Sequence, residues 1–282
     1  MSGLQLTRVA GAIGTEVRGV DLTKGLGNDE LAAISEVLAD RLVVFFPDQH
    51  LDRDQHVAFA RHFGELEVFH PATNSEASHS EVLSLHSEEG RIADVWHTDV
   101  TWSQHPPKAS ILRMVTNPDV GGDTMWSNQY LAFESLTEPF RAFISGLTAV
   151  HTGRVFGNPG DRAVHPVVRL HPETGRKSLY VNRQFTSHIV ELSPGESDAL
   201  LGYLWTWSEQ PRFTCRYGWT EGTVAMWDNR CTQHYVVNDF DQPRTIERVT
   251  VLGDDPQPAA PTAWPAYEGG PLSAAQADFI FR

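Results

Sequence analysis

Cysteine is nearly absent. Cys215 and Cys231 are the only two in 282 residues, too few for a disulfide framework and too few for a thiolate zinc or iron–sulfur centre. A reducing, cytoplasmic setting is expected. Positive charge is also scarce: 22 Lys and Arg stand against 36 Asp and Glu, a formal charge of −14. No Lys/Arg stripe is available to release counterions from a phosphate backbone, so nucleic acid is not an expected partner. Long apolar runs are missing as well. The stretch 42–46 falls far below the ~20 residues of a membrane span, and the first residues lack a basic segment followed by an apolar one. A membrane is therefore not an expected partner either.

What is present is enough apolar material for a sizeable core, with 40% hydrophobic residues, 8 tryptophans and 13 histidines. No internal repeat or low-complexity tract interrupts the first part of the chain. Residues 1–254 read as a single domain and residues 255–282 as a proline-rich arm or tail.

Near the N-terminus, Leu31, Ile34, Val37 and Leu38 recur at helical spacing over Asp29 to Asp40, with Asn28 available as N-cap. Leu42 to Phe46 follows as a buried strand. Asp52, with Gln55 at the capping-box position, starts a second helix. After residue 80 the texture changes to short β-like runs between turn residues, including Val82 to Leu85, Ala109 to Val115, Thr124 to Ser127, Val164 to Leu170 and Arg248 to Leu252. Helices are expected over roughly Tyr130 to Ser145 and, behind Ser193 and Glu196, over Pro194 to Trp207. The expected class is mainly β with helical decoration, a sandwich or jelly roll.

His97-Thr98-Asp99 is the first pattern that carries chemistry. On a strand, residues i and i+2 share a face, so an imidazole and a carboxylate would converge. Alone the triplet occurs by chance in many chains. Here Trp96, Val100 and Trp102 surround it with apolar bulk, where a charged pair needs compensation that a metal ion would supply. His234 is the best candidate for a third ligand. Two histidines and one carboxylate form the facial triad of non-haem Fe(II) oxygenases. Arg244 and Arg248 lie four residues apart before an apolar run, an even spacing that puts two guanidinium groups on one strand face, suited to anions. Thr124, behind Gly121-Gly122-Asp123, offers a hydroxyl.

Taken together, the segments Trp96-His97-Thr98-Asp99-Val100-Thr101, Gly121-Gly122-Asp123-Thr124, His165-Pro166-Val167-Val168-Arg169, Trp227-Asp228-Asn229-Arg230, Thr232-Gln233-His234 and Arg244 with Arg248 resemble the taurine dioxygenase family of Fe(II)/2-oxoglutarate-dependent oxygenases. The resemblance spans roughly residues 5 to 254. It implies a double-stranded β-helix, the cupin-like jelly roll, with His97, Asp99 and His234 as iron ligands. It implies that Thr124 and Arg244 grip the distal carboxylate of 2-oxoglutarate, and that His70 and Arg248 hold an anionic substrate head. Trp102, next to the metal motif, is placed at the substrate, whereas the other tryptophans are expected in the core.

The implied reaction consumes O2 and 2-oxoglutarate, yields succinate and CO2, and hydroxylates a small anionic substrate. A sulfonate or alkyl sulfate ester hydroxylated at the carbon bearing the head would collapse to an aldehyde and sulfite or sulfate. Where the taurine pattern has Tyr and Asn to meet the amine, this chain has Thr73 and Ala93. A sulfate ester, another sulfonate or a carboxylate is therefore expected rather than taurine. The competing reading is a non-redox, metal-binding protein of cupin type. Family resemblance also implies a homo-oligomer, dimer or tetramer.

Overall fold

The computed structural model describes residues 3–69, 79–90 and 92–268. In chain order the strands are β1 (Gln5–Arg8), β2 (Thr15–Arg18), β3 (Val43–Phe46), β4 (Val82–His86), β5 (Ala109–Thr116), β6 (Thr124–Asn128), β7 (Thr148–Gly153), β8 (Asn158–Pro166), β9 (Val168–Leu170), β10 (Lys177–Leu179), β11 (Thr186–Ile189), β12 (Thr214–Tyr217), β13 (Val224–Asp228), β14 (Thr232–Val236), β15 (Thr245–Val251) and β16 (Gln257–Pro258). The helices are α1 (Asn28–Arg41), α2 (Arg53–Arg61), α3 (Gln129–Glu134), α4 (Glu138–Ser145) and α5 (Pro194–Ser208).

A seven-stranded sheet in the order β1-β2-β3-β13-β5-β15-β4 faces three-stranded sheets, among them β12-β6-β14. Side-chain parity assigns the two faces of the large sheet. On β5, β13 and β15, Ile111, Met226, Val249 and Val251 pack toward α1 and α2, while Leu112, Met114, Ala225, Trp227 and Ile246 pack inward against Trp126 and Cys215 of the opposing sheet. With both faces covered, the central strands need continuous apolar runs, and Val43–Phe46 is buried at every position. This is the expected jelly roll with helical decoration.

Several boundaries differ from expectation for identifiable reasons. Gly27, not Asn28, caps α1, its N–H donating to the Glu30 carboxylate at 2.9 Å. Leu42 ends that helix in a left-handed conformation, φ 64°. The Asp52–Gln55 capping box forms in both directions, at 2.8 and 2.9 Å. The helix expected over 130–145 is two helices, because Pro139 in the first turn of α4 cannot donate back to the preceding turn. The strand expected over 164–170 breaks at Val167, after Pro166, and continues in another sheet. The arm continues over the surface: β16 pairs β9, and Tyr267 donates to the Val190 carbonyl at 2.8 Å. Among the described residues, no helix is long and apolar enough to cross a membrane.

Candidate metal and 2-oxoglutarate site

His97 is not in a regular strand. It forms a single bridge with His234 on β14, the two backbones exchanging hydrogen bonds at 3.1 and 2.7 Å. Asp99 sits in the following turn, closed by Val100 at φ 51°. The convergence expected from strand parity is thus reached through a bridge and a tight turn. His97 Nε2 and His234 Nε2 each lie 3.8 Å from Asp99 Oδ1, and all three side chains are buried.

The surroundings leave the right atoms free. His97 Nδ1 donates to the Val95 carbonyl at 2.7 Å, which leaves the Nε2 lone pair facing Asp99. Burial lowers the pKa of His97 and of His234, so both imidazoles are neutral. Burial opposes ionisation of Asp99, but the Arg248 guanidinium, His234, His97 and the Ser110 hydroxyl outweigh it and hold the carboxyl well below its usual range. Two neutral imidazoles and one carboxylate, converging without a proton between them, fit a divalent iron-type ion. Ser110 was not foreseen: its hydroxyl donates to Asp99 Oδ2 at 2.7 Å and accepts from Asn229 Nδ2 at 2.9 Å. Its only signal is cross-strand register, since it faces Thr250 of β15, next to Arg248 on the same face.

Arg244 and Thr124 meet on the inner side. Arg244 Nε donates to the Gly122 carbonyl at 3.1 Å and Nη2 lies 3.5 Å from Thr124 Oγ1. Gly122 has φ 71°, and a Cβ there would press on the Arg244 side chain at 3.2 Å. Trp219 Nε1 donates to the same hydroxyl at 2.9 Å. Arg244 is 6% exposed, and burial draws its pKa down to about 10. A buried guanidinium bonded only to neutral oxygens suits an incoming carboxylate.

Arg248 donates through Nη1 to Asp99 Oδ1 at 2.7 Å, while its Nε is buried without a partner among the described residues. The half-buried Trp102 packs on Phe185, at 4.5 Å between ring centres, and on Phe156, at 5.1 Å, and Phe185 in turn contacts His97 edge-on at 5.9 Å. His70 and Thr73 lie outside the described residues. A second group, His171, Asp228 and Cys231, has its donors occupied. His171 Nε2 donates to Asp228 at 3.0 Å, Arg230 caps the same carboxylate, and burial raises the Cys231 thiol. That cluster is a structural tie.

Residues 5–250 match the sequence profile described as taurine catabolism dioxygenase TauD, TfdA family. The chain belongs to this family. As a TauD/TfdA member it is a non-haem Fe(II)- and 2-oxoglutarate-dependent dioxygenase, and the competing non-redox cupin reading falls. It is 37% identical over 273 residues to an alkylsulfatase of Acinetobacter baylyi, covering 89% of this chain and 86% of the relative. It is 38% identical over 275 residues to an alpha-ketoglutarate-dependent sulfate ester dioxygenase of Pseudomonas putida, covering 90% and 91%. A crystal structure of a taurine dioxygenase from Burkholderia xenovorans superposes with a TM-score of 0.86 at 45% identity, covering 97% of this chain and 98% of the other.

Proposed function

We propose that this TauD/TfdA enzyme hydroxylates small alkyl sulfate esters or sulfonates at the carbon bearing the anionic head, releasing sulfate or sulfite with an aldehyde. In this reading His97, Asp99 and His234 hold the iron, and Arg244 with Thr124 holds the distal carboxylate of 2-oxoglutarate. Iron with 2-oxoglutarate supplies the O2 chemistry, and the chain's own residues supply position. Arg248 takes the substrate's head and Trp102 lines its tail; His70 joins Arg248 by resemblance.

The observation that carries the anion reading is the state of Arg248. With Nη1 spent on Asp99, the guanidinium keeps a buried Nε that has no partner among the described residues. A buried donor without an acceptor is costly, and an oxyanion beside the iron triad satisfies it. Ser110 keeps Asp99 oriented while Arg248 turns to the substrate.

The test is succinate formation by anaerobically Fe(II)-loaded protein on admitting O2, against alkyl sulfates, sulfonates including taurine, and aryloxy carboxylates. Stimulation by a sulfate ester or sulfonate, with matching sulfate or sulfite, is expected. Stimulation by carboxylates alone would overturn the substrate reading.

We also propose a cytoplasmic homo-oligomer. Two buried free thiols support a reducing compartment. The partly exposed aromatics Phe143, Tyr203, Trp264 and Tyr267 on the α4–α5 side support self-association. Light scattering giving a monomer mass would remove the second part.

A further inference from the structure

One buried side chain links the turn that carries Asp99 to the aromatic wall beside it. Asn182 opens the turn into β11, where the Thr186 N–H donates to its carbonyl at 3.2 Å. Its side-chain oxygen accepts the Phe185 N–H at 2.9 Å. A backbone N–H can only donate, so this bond fixes which end of the amide is oxygen. The other end, Nδ2, donates to Thr101 Oγ1 at 3.1 Å.

The two ends reach different parts of the site. Thr101 is fully buried, two residues after Asp99 and directly after Val100, whose φ of 51° a β-branched residue keeps only where its surroundings impose it. Phe185 meets His97 edge-on at 5.9 Å and Trp102 at 4.5 Å between ring centres. The Thr101 hydroxyl also lies 2.9 Å from His151 Nδ1 on β7, and Thr186 Oγ1, which accepts the Asn182 N–H at 2.9 Å, lies 3.3 Å from that same nitrogen. His151 is fully buried, and burial holds its pKa well below the ordinary value, so the network is neutral. Removing one member of such a network leaves the next with a buried, unsatisfied group. Ser110 orients the Asp99 carboxylate; the contacts of Thr101 set where the backbone beneath it runs.

We propose that Asn182 is a positioning residue: through Thr101 it keeps the Asp99 turn in register with the wall of Phe185 and Trp102, so that the metal and the tail of the substrate hold one mutual geometry. Loosening that register separates consumption of 2-oxoglutarate from hydroxylation of the substrate. This rests on the metal and substrate reading above.

The experiment is a double-mutant cycle of Asn182→Leu and Thr101→Val with two readouts: Fe(II) affinity by anaerobic titration, and succinate formed per sulfate or sulfite released with the best substrate of the panel above. Each single variant is expected to weaken Fe(II) binding by about tenfold, as loss of an outer partner does. The double variant should lose no more than either single one, because both remove the same link. The wild type should make succinate and inorganic product in equal amounts, and both single variants several-fold more succinate than product. Thr101→Ser, which keeps the hydroxyl, should match the wild type in both readouts. A merely structural role would lower the melting temperature of the variants and move neither readout. Losses of affinity that add in the double variant, or wild-type affinity and ratio in both single variants, overturn the role of Asn182 and leave the metal reading standing. If no panel compound is turned over, the substrate reading falls and the Fe(II) cycle alone decides on Asn182. A wild type that binds no Fe(II) overturns both.

Discussion

The three proposed ligands, His97, Asp99 and His234, are held by neighbours as much as by their own spacing. Ser110 is the clearest case, because its hydroxyl is the donor to the Asp99 oxygen that does not face the histidines. Ser110→Ala should weaken Fe(II) binding by about tenfold, read by equilibrium titration, since removal of such outer partners costs roughly 10- to 100-fold. Arg244, in the proposed reading, acts on a different component. Arg244→Met should raise the 2-oxoglutarate concentration needed for half-maximal turnover by about 100-fold, the order of two charge-assisted hydrogen bonds, while metal affinity measured alone stays within about twofold. His97, Asp99, His234, Thr124 and Arg244 could be picked from the sequence as candidates because each sits in a short motif of unusual composition. Ser110 could not. Nothing in Ala109-Ser110-Ile111 marks it; strand register alone brings it beside Asp99.

Parity along β15 separates two tasks. Arg248 and Thr250 point inward, whereas Glu247 points to the helix side, 3% exposed, where Arg53 and Arg113 bind its carboxylate at 2.7 and 2.6 Å. This ion cluster fastens α2 to β5 and β15. Glu247→Ala takes the shared carboxylate away from both guanidinium groups and should cost about 3–5 kcal/mol, read by chemical denaturation. The capping box of α2 contributes less: Asp52→Ala should cost about 1 kcal/mol by the same assay. The capping boxes at Asp52 and Ser193 were legible in sequence because they are local. The split at Pro139 and the break after Pro166 were signalled by proline but overridden by apolar periodicity. The bridge between His97 and His234 joins residues 137 apart, and no local rule yields it.

At the level of the whole molecule, the fold encloses several neutral histidines. His56 is fully buried, its Nε2 donates to the Ile111 carbonyl at 3.0 Å, and burial draws its pKa down to about 4. The unfolded chain takes up a proton near pH 6.5, its ordinary value, but the folded chain does not until about 4. Stability should therefore fall as pH drops from about 6.5 to 4, with His56 accounting for roughly 3 kcal/mol of the loss. Melting curves across that range check this, and His56→Gln should flatten the pH dependence even where it lowers the melting temperature at pH 8. The jelly-roll class and the family were legible from ordered motifs spread along the chain, since each lies where the topology brings strands to one end.

The central claim is that His97, Asp99 and His234 hold one Fe(II) ion to which 2-oxoglutarate adds. The most direct measurement is an anaerobic titration of the purified protein and of Asp99→Ala with Fe(II) in the presence of 2-oxoglutarate, following the visible charge-transfer absorption of the chelate. One ion per chain and a saturating band are expected for the wild type, and neither for the variant. A wild type that binds no iron, or a variant that keeps the band with unchanged affinity, would contradict the account.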